Sequence, residues 1–150
     1  MALNAQILLS ILAHESSSGD ISQTLRATPA TYSLTLGNGT GANQAQVVWS
    51  DSRTLSGSSE TLDASSLTDD RGSVTLTALK AVYVKNSSTA TLTFTPASAA
   101  AFGGTQHVRA GGAALAVAAD ATGMAAGNLV VAGGAGQTYE IILIGEGAVT

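Results

Sequence analysis

Two histidines, ten carboxylates and no cysteine are the raw material for chemistry in this chain. General acid–base work needs a titratable group facing its partner within hydrogen-bond reach. His14 follows Ile11 by three residues and stands beside Glu15, while His107 has no acidic residue two positions away on either side. A lone histidine in such a setting reads as a solvated or satisfied side chain. The sequence holds no HExxH, no GxSxG elbow and no Walker lysine motif. Without cysteine there is no thiolate nucleophile, no disulfide and no Cys-ligated zinc. Asp63, Asp69 and Asp70 lie close together, but without the alternating spacing of a calcium loop. LTDDRG (67–72) reads instead as a turn in which Arg71 pairs with Asp69. The expectation is a protein that is not an enzyme, with no catalytic residues, no cofactor and no metal.

The glycine loops test a nucleotide reading. A phosphate cradle needs a helix N-terminus behind the loop, so that free N–H groups point at the anion. GNGTG (37–41) and AGGAG (132–136) both lead into strand-like sequence, so hairpin turns explain them better. Asn38-Gly39-Thr40 and Asn86-Ser87-Ser88 match the glycosylation sequon, which is ordinary in a chain rich in Ser and Thr. Trp49, Tyr32 and Phe94 stand in apolar phase or apolar runs, which assigns them to a core rather than to a sugar-stacking platform.

Composition narrows the partners. Ala, Gly, Ser and Thr supply 79 of the 150 residues, and charged residues are 11%, against about 25% in an ordinary domain. The six basic residues, Arg26, Arg53, Arg71, Lys80, Lys85 and Arg109, are scattered, and the net charge is −4. Binding nucleic acid requires clustered Lys and Arg that displace counterions. A polybasic membrane patch has the same requirement. Neither partner is expected. The longest apolar stretches, Ile7 to Ala13 and Ala113 to Ala119, are far shorter than the ~20 residues of a spanning helix. The first is also a poor signal peptide, because no basic residue precedes it.

The elements that position these residues fall into two parts. Residues 1–29 read as an N-terminal arm and linker, and residues 30–150 as a β-sandwich domain. Leu3, Ile7, Leu8, Ile11 and Leu12 recur at helical spacing, with Leu9 off the stripe. This predicts a short amphipathic helix or an arm, packed on its own domain or against a neighbouring subunit. A flexible link to about Thr28 follows. From Ala30 the period changes to two. TYSLTL, QVVWS, SVTLTALKAVYVKN and TLTFTP give strands, with Lys80 interrupting the phase of Val74, Leu76, Ala78, Val82 and Val84. Ile141 to Ile144 is continuous and predicts a strand covered on both faces. About eight short strands separated by turn residues point to an antiparallel sandwich of jelly-roll type. The alanine-rich stretches Ala97–Ala101 and Ala110–Ala126 leave room for a helical turn, although their glycines oppose a long helix.

Several segments together resemble small virion proteins of tailed bacteriophages. They are GTGAN (39–43), WSDSRTL (49–55), ETLD (60–63), LTDDRG (67–72) and KAVYVKN (80–86). RAGGAALAVAADATG (109–123) and GAGQTYEIILIG (134–145) share the character. The resemblance implies a capsid decoration (cement) protein bound to the major capsid protein and to copies of itself as a homotrimer. It places the chain on the capsid surface of the virion after synthesis in the bacterial host cytoplasm. A tail, baseplate or fibre-associated module and a carbohydrate- or receptor-binding sandwich are the other roles considered. A stripe such as Leu3, Ile7, Leu8, Ile11 and Leu12 would then contact an adjacent subunit.

Overall fold

The computed structural model describes residues 2–17, 23–26, 28–96 and 104–150, with residues 14–17 and 23–26 described as backbone alone. The described residues form strands and loops and no helix. In chain order the strands are β1 (Ala5–Ile11), β2 (His14–Ser17), β3 (Gln23–Arg26), β4 (Ala30–Asn38), β5 (Gln44–Ala45), β6 (Val47–Thr54), β7 (Ser59–Asp63), β8 (Leu67–Asp69), β9 (Gly72–Asn86), β10 (Leu92–Pro96), β11 (Gln106–Val108), β12 (Ala113–Val117), β13 (Met124–Ala125), β14 (Asn128–Ala132) and β15 (Thr138–Val149). The expectation of about eight strands undercounts them, because short strands flank the long ones. Pairing is antiparallel except between β4 and β5.

Two sheets build the body. One has the order β12-β9-β15-β6, with β8 and β13 also paired to β9; the other has the order β11-β10-β14-β7. Their inner faces share one core. Trp49, Val82, Val84, Tyr139, Ile141 and Leu143 come from the first sheet, and Leu62, Leu92, Phe94, Leu129 and Val131 from the second. Trp49 is buried and its indole N–H donates to the carbonyl of Thr68 at 3.0 Å, so the largest core side chain leaves no polar atom stranded.

β9 is a single strand carrying two bulges. Its register against β15 shifts between Ile144 and Gly145, skipping Lys80, and again between Glu146 and Gly147, skipping Thr77. Each extra residue moves the following side chains by one position, so the inward set runs Val74, Leu76, Leu79, Val82, Val84. The expected phase Val74, Leu76, Ala78, Val82, Val84 is therefore corrected at Ala78: Leu79 holds the core position and Ala78 is half-buried. Glycine is required opposite these bulges. A Cβ on Gly145 would run into the carbonyl oxygen of Ala78, and one on Gly147 into that of Thr75.

The N-terminal helix is also corrected. Residues 5–11 are a strand paired over its whole length with β4, from Ala5↔Leu36 to Ile11↔Ala30. A spacing of four satisfies both a helix and one face of a strand, so Leu3, Ile7 and Ile11 could not discriminate. Leu9, the residue that broke the helical stripe, falls into the strand phase. A helix this short is marginal alone, whereas β4 offers a complete hydrogen-bonding partner. β2 and β3 continue the pair outward, His14↔Arg26 to Ser17↔Gln23, so strand pairing enters the segment expected to be a flexible link. Residues 18–22 and 27 of that segment lie outside the described residues, as does Ala97–Ala101. Ala113–Val117, in the other alanine-rich stretch, is strand.

Candidate interaction surface

The ribbon of β1 and β4 has one apolar face. Cross-strand pairs along it are Ala5/Leu36, Ile7/Leu34, Leu9/Tyr32 and Ile11/Ala30. The half nearest the body is covered. Leu36 is fully buried, and Leu3, Ala5, Ile7 and Leu34 pack with Ala81, Ile144, Val48 and Val117. Those four form one cross-strand row on the outer face of the larger sheet. The far half is uncovered. Leu9 and Tyr32 are exposed, and Ile11 is 58% exposed. Leu8 and Leu12, at 67% and 69% exposure, extend the apolar surface to positions off this face. No charged residue lies between Met1 and His14 or between Arg26 and Asp51, so this surface is uncharged throughout.

The five residues singled out from the sequence are thus divided. Leu3 and Ile7 belong to the chain's own core, and Leu8, Ile11 and Leu12 stand in solvent. The helical pattern did not reveal Leu9 and Tyr32, which the ribbon pairing brings together.

The outer face of the larger sheet carries a second apolar row beside the covered one. Leu115 pairs with Tyr83, and Tyr83 with Ile142. Leu115 and Ile142 are exposed. A groove of about 610 Å³ runs between this row and β1, lined by Leu8, Leu9, Tyr83, Ala114, Leu115 and Ile142 among others. The next row out is polar, with Lys85 Nζ 2.9 Å from Glu140 Oε1. Ile142 is the departure from the sequence expectation. Ile141 and Leu143 face the core and Ile144 lies under the ribbon, but Ile142 borders the groove and stays 37% exposed.

The other candidate groups do not converge. His107 is exposed on β11, and the side chain of His14 lies outside the described residues. Asp63 accepts from Ser65, and Asp69 accepts the backbone N–H of Arg71 and pairs with its guanidinium, so each belongs to its own turn. Among the described residues no three His, Asp or Glu side chains group to hold a metal. Asn86 is fully buried, donating to the carbonyls of Ala90 and Val108 and accepting from Ser88. The amide at that sequon is therefore occupied. Trp49 and Phe94 are buried as expected, and so is Tyr139, but Tyr32, expected in the core, is exposed because the half of the ribbon that carries it is uncovered; Phe102 lies outside the described residues. GNGTG leads into β5 and AGGAG into β15, so neither loop precedes a helix.

Two charged clusters are structural. Glu60 on β7 accepts from Tyr139 Oη at 2.9 Å and pairs with Arg53 on β6, which also meets Asp51 at 2.9 Å. This clasp joins the edges of the two sheets. Burial, and then the Glu60 hydrogen bond, push the Tyr139 hydroxyl pKa up from its ordinary value of 10.0. Lys80, skipped by the bulge, is fully buried and donates to the carbonyls of Asp120 and Ala121 at 2.7 and 2.9 Å. Its Nζ lies 3.0 Å from Glu146 Oε1. That oxygen receives no aligned hydrogen bond, so the two groups meet as charges.

No family model, curated protein or solved structure matches this chain.

Proposed function

We propose that this chain is a bacteriophage virion structural protein, a capsid decoration (cement) protein that binds the major capsid protein on the outer surface and stabilises the shell. One observation carries most weight: a body with a complete core bears a ribbon whose outer half is apolar, uncharged and uncovered. Contiguous exposed apolar patches, when large, mark interaction sites, and a surface poor in charge can be buried against neighbours without stranding ions. The resemblance of residues 31–145 to small virion proteins of tailed phages supplies the kind of neighbour. A jelly-roll-like wrapping of the two sheets, a homotrimer and a place on the virion surface after synthesis in the host cytoplasm belong to the same reading. Burial of Trp49, Phe94 and Tyr139 removes three rings from the carbohydrate-binding alternative, which stacks sugars on exposed rings and is left with Tyr32.

The test is to add purified protein to capsids lacking it and to image the particles. Density in many copies on the shell is the expected result. Density confined to the tail would favour the tail or baseplate role, and failure to bind any particle would remove the virion reading.

A further inference from the structure

We propose that the outer half of the ribbon of one copy, carrying Leu9, Ile11 and Tyr32, seats on the Leu115–Tyr83–Ile142 row of a second copy. This deepens the self-association in the reading above and rests on it, but it needs no capsid. Three observations favour another copy of this chain as the occupant.

First, the contact would continue an interface the chain already makes. The inner half of the same ribbon face packs on the adjacent row of the same sheet, Val117–Ala81–Ile144–Val48. Ribbon face and sheet face are therefore already matched in chemistry, and each has one further section left over. Second, neither section carries a charge. The charged row of Lys85 and Glu140 borders the acceptor and limits the footprint to one row. An acidic or basic partner would find no counter-charge there. Third, Ile142 belongs to a run whose sequence asks for cover on both faces, and the single chain buries Ile141, Leu143 and Ile144 but leaves Ile142 37% exposed. Leu9 borders the same groove as the row within one chain, but Ile11 and Tyr32 do not line it, so each copy has a ribbon end to give and a row to receive one. Such a head-to-tail contact closes a ring when the rotation allows it.

The native chain has no cysteine, which makes cross-linking specific. Ile11→Cys and Leu115→Cys are made as separate variants, each with its own affinity tag, co-expressed, purified through both tags and mildly oxidised. The expected result is an inter-chain disulfide in the mixed sample and none when either variant is expressed alone. Linking by Ile11→Cys alone would mean that ribbons meet ribbons, and would overturn the proposal. So would absence of any link in the mixed sample, or a native mass of 14.8 kDa at tens of micromolar. Leu115→Lys, on an exposed edge strand, should keep the circular dichroism of the native protein while reducing its mass to that of one chain. A native-like mass for that variant would count against the row as acceptor. Because capsids are absent, failure here leaves capsid binding to be judged by its own assay.

Discussion

Lys80 shows how one residue ties local geometry to stability. A fully buried ammonium persists only where its charge and protons are met, and here two loop carbonyls and Glu146 meet them. Lys80→Met should cost about 3 kcal/mol, within the range for breaking a buried pair by removing one partner. Adding Glu146→Gln should restore part of the loss, because the uncompensated carboxylate is then gone. Urea denaturation of the two variants measures both. Asp120 holds the loop that supplies those carbonyls. Its carboxylate accepts the N–H groups of Gly123 and Thr122, both at 2.8 Å, which keeps its pKa below the ordinary 3.8. Hydrogen bonding lowers Asp63 and Asp69 in the same direction, and Lys85 lowers Glu140. A depressed carboxyl contributes stability above its unfolded pKa and loses it as pH falls through the folded one. The raised Tyr139 hydroxyl has the opposite sign. Its contribution is full below the ordinary 10.0 and declines as pH rises beyond it. Thermal melts across pH should therefore show a plateau that falls away in acid below about the ordinary Glu value of 4.5 and again above about pH 10.

At the scale of elements, the glycines opposite the bulges are the sharpest test. Gly145→Ala or Gly147→Ala drives a Cβ into a backbone carbonyl and should destabilise by at least the ~1–3 kcal/mol typical of overpacking. The ribbon makes the complementary prediction. Leu8→Asp combined with Ile11→Asp changes only exposed positions, so melting of the body should stay nearly unchanged while association weakens. Leu36→Asp, at a fully buried position, should unfold the ribbon base in the same assay. Much of this level was legible beforehand. TYSLTL and TLTFTP alternate as the strands they form, Trp49 and Phe94 are core, and Arg71 pairs with Asp69 in its turn. The N-terminal element was not, because spacings of four fit a helix and a strand equally and only the long-range partner β4 decides between them. The bulges were hidden too. Lys80 broke the phase visibly, but nothing local says that a second skip at Thr77 precedes it, or that both are needed to keep Leu76, Leu79 and Val82 on one face. Of the candidate surface, the spacing picks out Leu3, Ile7, Leu8, Ile11 and Leu12, of which Leu8, Ile11 and Leu12 are exposed, while Leu9, Tyr32 and the Leu115–Tyr83–Ile142 row emerge only from register.

For the whole molecule, composition and architecture now fit together. Small residues and few charges allow sheets to lie close on both sides of β9 and β15. The body has a core facing the second sheet and a smaller cluster beneath the ribbon, so the larger sheet is a middle layer rather than an outer one. The position of β15 has a consequence in time. It lies between β9 and β6, pairing with β9 along nearly its full length and with β6 from Thr138 to Gly145. A ribosome makes every other strand of that sheet before it reaches Thr138. Until then β9 and β6 flank a gap, their hydrogen-bonding edges are open, and the apolar ribbon has been waiting since β4 was made. Closure of the sheet must come late, from contacts remote in sequence, which makes it slow and exposes sticky intermediates. A chain stopped just before Thr138 should therefore remain unfolded and precipitate, and supplying residues 138–149 as a separate peptide during refolding should recover soluble protein with native circular dichroism.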